Sequence, residues 1–191
     1  MALADALIIA LSLTTIVTDS RWRRIPNWLT FPAMGLGLLI NALEGGWDGL
    51  WRGIGGLFLA LSFTIPLFAL GFVKAGDVKL IAAFGTIKGV GTPTIQSFVL
   101  WAFLYGALVG GLWALAILVQ ARSLGVAWAR MRGMLTSLVV GGTPRIPAVS
   151  EGNEENALRQ PMPYGVALSL GALTALVCEW FWGQPFPLLG G

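Results

Sequence analysis

Histidine is missing from this chain. That removes the usual Ser-His triads, the commonest catalytic zinc ligands and the side chain that most readily exchanges protons near neutral pH. Cysteine is nearly as scarce. Cys178 is the only one, so neither an intramolecular disulfide nor a Cys-x-x-Cys zinc site can form, and in its apolar surroundings it reads as a packing residue. Charge is short as well: Asp, Glu, Lys and Arg make up 11% of 191 residues, against about 25% in soluble domains. Any chemistry must come from a few carboxylates, hydroxyls and lysines. No metal or other cofactor is implied.

What is present is apolar. Hydrophobic residues make up 56% of the chain, accompanied by nine Trp and 26 Gly. This is the composition of a membrane protein, because Trp anchors helices at the interface and Gly lets them approach closely in lipid. A helix needs roughly 20 apolar residues to cross the hydrocarbon core. Six candidate spans meet or approach that length, over 2–18, 28–43, 50–73, 78–90, 94–121 and 164–182, with breaks at "EGGWDG" and "GVGTP". The fourth is short and carries Lys88, so it reads either as a crossing or as a half-buried or tilted helix packed inside the bundle, which leaves a five-span alternative. The opening "MALADALIIALSLTTIV" has no basic residue before its apolar run and no A-x-A site after it, so it reads as the first span rather than a cleaved signal. The expectation is an all-α polytopic bundle of about six transmembrane helices, a single membrane domain over 1–191, with both termini on the outer, periplasmic side.

Orientation follows from the basic residues. With six spans, Arg21, Arg23, Arg24, Lys74, Lys79, Arg122, Arg130, Arg132, Arg145 and Arg159 gather on the cytoplasmic loops, and Arg52 and Lys88 alone fall elsewhere. The net charge of +3 then reports orientation and contact with anionic lipid. No aromatic-basic platform for nucleic acid accompanies it. The longest loop, 122–163, is expected in the cytoplasm, with "AWARMRGML" lying on the surface and "SEGNEENALRQ" polar. Gly106 and Gly110 have the spacing of a helix-packing pair.

Carboxylates at membrane depth are expensive and therefore informative. Asp5 and Glu179 lie toward the outer ends of their spans, Glu44 and Asp48 in an outer loop, and Glu151, Glu154 and Glu155 in the long inner loop. Two remain. Asp19 closes the first span in "IVTDSRWRRIPN" and Asp77 opens the fourth in "VKAGDVKL", which topology places on one leaflet. Two carboxylates can activate water when one takes a proton and the other donates one. Helix dipoles favour Asp77, at a helix N-terminus, as the base over Asp19 at a helix C-terminus, although a close pair titrates as a unit. The alternative is that both are interfacial caps paired with neighbouring Arg and Lys. Pro26 and Asn27 read as a turn and helix start, and Lys79 as a residue that tunes Asp77 or binds headgroups.

Three segments in this order resemble the type IV prepilin peptidase family, membrane aspartyl proteases with a Gly-x-Gly-Asp signature. "DSRWRRIPNWLTFP" resembles the first motif, "AGDVKL" the second, and "PMPYGVALSLGAL" a Pro-Tyr-Gly-x-Ala segment of short members. The resemblance implies that Asp19 and Asp77 are the catalytic pair, with Gly76 permitting close approach of backbone and substrate. Larger members of that family carry an N-methyltransferase domain and paired Cys-x-x-Cys zinc motifs; with neither in this sequence, the chain resembles the compact peptidases of tight-adherence (Tad, Flp-type) pili, which implies the bacterial inner membrane. The implied substrate is a prepilin with a short basic leader ending in Gly, cut at the cytoplasmic boundary, and the pilus assembly machinery is a possible partner. Glu151, Glu154 and Glu155 would offset the Arg-rich first loop toward such a leader. One position departs from the signature: Lys74 replaces its first glycine, which raises a catalytically inactive assembly scaffold as one alternative. A small transporter is the other.

Overall fold

A computed structural model of the chain describes residues 3–91, 94–120, 132–133 and 164–185. Among these residues every regular element is helical: α1 (Leu3–Trp22), α2 (Asn27–Ala69), α3 (Ala75–Lys88), a 3-10 turn at Thr94–Gln96, α4 (Phe98–Gln120) and α5 (Tyr164–Trp182). Four of them, α1, α2, α4 and α5, contain stretches long and apolar enough to cross a membrane. The chain divides into two compact units, Met1–Gly110 with Pro163–Gly191, and Gly111–Met162. The second holds the last part of α4 and residues 132–133; the rest of the expected loop over 122–163 lies outside the described residues. All that follows concerns the first unit.

The 43 residues of α2 would run about 65 Å if straight, more than twice the roughly 30 Å hydrocarbon core. They do not run straight. Gly46 has φ 58° and ψ −137°, a conformation outside the helix that glycine reaches at little cost. The chain turns back there so far that Gly49 packs directly against the Asn41 carbonyl, and Gly53 sits beside Leu38. The "EGGWDG" break read from the sequence is thus a hairpin turn within one long helical element. Exposed Trp47 and Trp51 flank it, while exposed Trp22 and Trp28 flank the end of α1 and the start of α2. Such placement suits indoles at two membrane interfaces.

The α3 helix is 14 residues, about 21 Å long. Every residue from Leu80 to Ile87 is buried, so this helix is wrapped by the others; it is not among the helices long and apolar enough to cross, which favours the packed-inside alternative over the expected fourth crossing. Gly56 of α2 and Gly85 of α3 meet backbone to backbone. At the far end, Asn41 Nδ2 donates to the carbonyls of Thr86 and Ile87 at 3.0 Å each and of Gly37 at 2.9 Å. Those of Thr86 and Ile87 are terminal carbonyls of α3, which lack partners within their own helix. Gly89, at φ 72°, then ends the element. A second close approach joins α4 to α5. Gly171 packs against the backbone at Ala102 and Gly106, and a side chain at Gly106 would meet the Leu168 Cα at 2.9 Å. Gly106 therefore has the packing role its spacing predicted, whereas at Gly110 an added methyl would make only an ordinary 3.4 Å contact with Ala167.

Candidate active site

The end of α1, the start of α2 and the starts of α3 and α5 come together. The turn between α1 and α2 makes this possible. Arg23 stands at φ 51°, its N–H bonded to the Asp19 carbonyl at 2.9 Å, which stops α1 with a left-handed residue. Pro26 follows in extended conformation (φ −75°, ψ 143°) and its carbonyl accepts from Leu29 N at 3.1 Å, which begins α2 at Asn27. Between these points Ile25 turns inward. Its side chain packs beside Gly76 on α3 and against Gly165 on α5.

Asp77 is the third residue of α3. Its Oδ2 accepts the backbone N–H of Lys74 at 3.0 Å, the carboxylate half of a capping box. The lysine side chain cannot supply the other half, because an ammonium has no acceptor. This cap explains why α3 begins at Ala75, three residues before the expected span. Asp77 is 3% exposed and Asp19 is 5% exposed, so neither is a solvated surface acid. Asp77 does cap α3, with Lys74 in electrostatic range, but among the described residues neither carboxylate forms an ion pair with a neighbouring Arg or Lys. They lie within electrostatic range of one another.

Asp19 has an environment that its position on α1 does not disclose. Its Oδ2 accepts the N–H of Val166 at 3.3 Å, in the first turn of α5. A Cβ at Gly165 would lie 2.9 Å from the same oxygen and 2.9 Å from Ile25 Cδ1. The carboxylate therefore faces the positive end of the α5 dipole, although it sits at the negative end of its own helix. This corrects the dipole argument that favoured Asp77 as the base. Each carboxylate accepts one N–H at a helix start, and the dipoles no longer separate their roles.

The remaining sequence candidates divide. Lys79 does not reach Asp77: its Nζ donates to Asn27 Oδ1 at 2.8 Å and lies 5.4 Å from the centre of the Phe31 ring, tying α3 to the start of α2. Asn27 is thereby more than a helix start. Gly76 is half-buried, and an added methyl there would make an ordinary 3.4 Å contact with Ile25. Lys74 is exposed, at φ −92° and ψ 160°, backbone that any residue adopts, so glycine's absence from this position strains nothing. Ile25 and Gly165 were not singled out as site residues. Their signal was visible, since each lies within a quoted motif, but only the packing of α5 against α1 gives them a function. Among the described residues no cluster of metal-ligating side chains is present.

Residues 6–115, more than half of the chain, match the model of the type IV leader peptidase family. No curated protein and no solved structure matches. The matched segment contains both aspartates and stops short of α5.

Proposed function

Because this chain belongs to the type IV leader peptidase family, we propose that it is a membrane aspartyl endopeptidase with Asp19 and Asp77 as its catalytic pair. One observation carries this reading: two buried carboxylates from opposite ends of different helices are brought within electrostatic range, and among the described residues neither forms an ion pair. The proposed reaction requires the pair to share one proton between its members. The ionised carboxylate takes a proton from water as the water oxygen bonds to the scissile carbonyl carbon. The protonated one gives its proton to the carbonyl oxygen. Collapse of the tetrahedral intermediate breaks the C–N bond as the proton first taken from water passes to the leaving amine and a hydroxyl proton of the intermediate returns to the other carboxylate, restoring the starting pair.

The substrate is a prepilin of the tight-adherence type: a short basic leader ending in Gly, followed by an apolar helix. Three features favour this. The paired aspartates lie at the Arg21–Arg24 end of the bundle, which the positive-inside rule puts at the cytoplasmic boundary of the inner membrane. With the arms of α2 counted separately, α1, α2, α4 and α5 supply five apolar segments and the 14-residue α3 would be the sixth, the arrangement in which both termini lie outside. Lys74 adopts unstrained, exposed backbone, so the departure from the signature offers no structural reason for an inactive scaffold. Glu151, Glu154 and Glu155 lie outside the described residues.

Purified protein in detergent, incubated with candidate prepilins, tests the proposal. Cleavage after the leader glycine is expected, with at least a 1,000-fold loss in both Asp19→Asn and Asp77→Asn, on the order of the loss when a member of a concerted catalytic unit is removed. Wild-type cleavage by both single variants would overturn the dyad.

A further inference from the structure

At the end opposite the aspartates, Lys88 is held between two carboxylates. Its Nζ lies 2.8 Å from Asp5 Oδ1 and 2.7 Å from Glu179 Oε2. Trp180 Nε1 donates to Asp5 Oδ2 at 3.2 Å, and the ammonium stands 5.3 Å from the centre of the Phe98 ring. Asp5 is 6% exposed and the Lys88 side chain 13%, so that pair is not a surface one, while the Glu179 side chain, 30% exposed, closes the cluster from its outer edge. Nothing in the local sequence connects these groups: Asp5 and Glu179 read as outer-end acids and Lys88 as an exception to the charge rule.

The cluster joins α1, α3 and α5. These three helices also build the candidate site, Asp19 from α1, Asp77 from α3 and the Val166 N–H with Gly165 from α5. Each helix thus carries one residue of the cluster near one end and one element of the site near the other. The separations along the helices are about 21 Å from Asp5 to Asp19, about 17 Å from Lys88 to Asp77 and about 20 Å from Glu179 to Val166. Between the two ends the helices share a core that includes Ile8, Leu11, Leu80, Phe84, Ala172 and Leu176. Rigid helices packed at such density turn and slide as units. The α1–α5 register is consistent along its whole length: Asp19 meets Val166 at one end and Asp5 meets Trp180 at the other, as an antiparallel pair requires.

The geometry points to Lys88, Asp5 and Glu179 as positioning residues: a remote ionic brace that sets the relative rotation and height of α1, α3 and α5, and so the approach of Asp19 to Asp77. This rests on the proposed role of the aspartates. A plain stabilising role would leave the turnover of folded molecules unchanged. Positioning would not, because misplacement of reacting groups by about 1 Å can lower rate by about 100-fold.

The test uses full-length protein in detergent, with folded material selected by gel filtration. Lys88→Glu places three acids together. Lys88→Glu with Glu179→Lys restores a cation between two carboxylates, and Lys88→Arg keeps the charge. Spin labels at Ser20→Cys and Ala75→Cys, in a Cys178→Ala background, report the distance between the ends of α1 and α3 beside the aspartates. The same Lys88 variants without labels are assayed on a peptide with a basic leader, a terminal leader Gly and an apolar helix. Expected are a broadened label distance and a kcat reduced about 100-fold at unchanged KM in Lys88→Glu, both recovered by the exchange and by Lys88→Arg. A label distance in folded Lys88→Glu identical to wild type would overturn the brace. So would a broadened distance that the exchange fails to narrow, or full kcat despite broadening. If Lys88→Glu yields no folded protein, Lys88→Met with Asp5→Asn and Glu179→Gln, which removes all three charges together, takes its place: a broadened label distance with reduced kcat is expected, and a distance or a kcat identical to wild type would overturn the brace. Absence of cleavage by wild type on every peptide would count against the peptidase reading, and the label distances would still decide whether the cluster sets the helix positions.

Discussion

Glycine at position 165 is the residue on which the site leans most heavily outside the aspartates. Alanine there would raise helix propensity by about 1 kcal/mol. Its methyl group would, however, lie 2.9 Å from Asp19 Oδ2 and 2.9 Å from Ile25 Cδ1, both at the far ends of side chains that can move. The fold therefore absorbs the change and the carboxylate moves. Gly165→Ala is expected to keep or raise the thermal midpoint while lowering kcat about 10- to 100-fold, measured on the same purified sample. Gly76 gives a contrasting case. Its added methyl would make ordinary contact, so Gly76→Ala should fold with stability unchanged or raised, and a rise in KM of about 10-fold would locate the glycine's importance on the substrate side. For Lys74, unstrained and exposed, Lys74→Gly is expected to leave cleavage within about 3-fold of wild type; a strong gain would show that the lysine obstructs the site. Asp19 and Asp77 were legible as residues because charge at membrane depth is rare enough to stand out. Gly165 was not, since the glycine matters only through an oxygen contributed by a helix more than a hundred residues earlier.

Among the elements, α3 shows how a short helix can be held in a bundle. Its C-terminal carbonyls at Thr86 and Ile87 are buried and receive the Asn41 amide, a side chain from the far side of the α2 hairpin. Removing a donor that satisfies buried acceptors costs about 1–3 kcal/mol. Asn41→Leu is accordingly expected to lower unfolding stability by that amount and lower the thermal midpoint, as read by circular dichroism or a fluorescence melt in detergent. Nothing about Asn41 in "LINALEGG" announces this, because an asparagine before two glycines reads as the approach to a turn. The hairpin itself was legible, since two glycines interrupt an apolar run too long for one crossing. The cap on α3 was half legible: an Asp at the third helical position is favourable by its charge, but the start at Ala75 depended on Lys74 N–H meeting that carboxylate.

For the whole molecule, the expectation is polarity between two ends. Ser20, exposed beside Asp19, and Trp47, exposed at the α2 hairpin, belong to opposite ends of the bundle. In a Cys178→Ala background in intact cells, Ser20→Cys is expected to resist a membrane-impermeant thiol reagent until the membrane is opened, while Trp47→Cys reacts at once. The reverse pattern would invert the proposed topology and remove the cytoplasmic leader from reach of the aspartates.

Membrane character, helical class, the hairpin break and the two aspartates were all written in local sequence, because each depends on composition, on the length of an apolar run or on the rarity of charge in lipid. Tertiary structure alone decided how those parts serve one another. The α5 start against Asp19, Ile25 between two glycines, Lys79 on Asn27 and Lys88 between Asp5 and Glu179 are contacts across 52 to 147 residues of chain wherever a hydrogen bond defines them. Periodicity and motif spacing carry no information about such pairings. They follow from the register in which antiparallel helices pack, and that register is set by glycines meeting backbone to backbone and by a few buried charges that must find a partner.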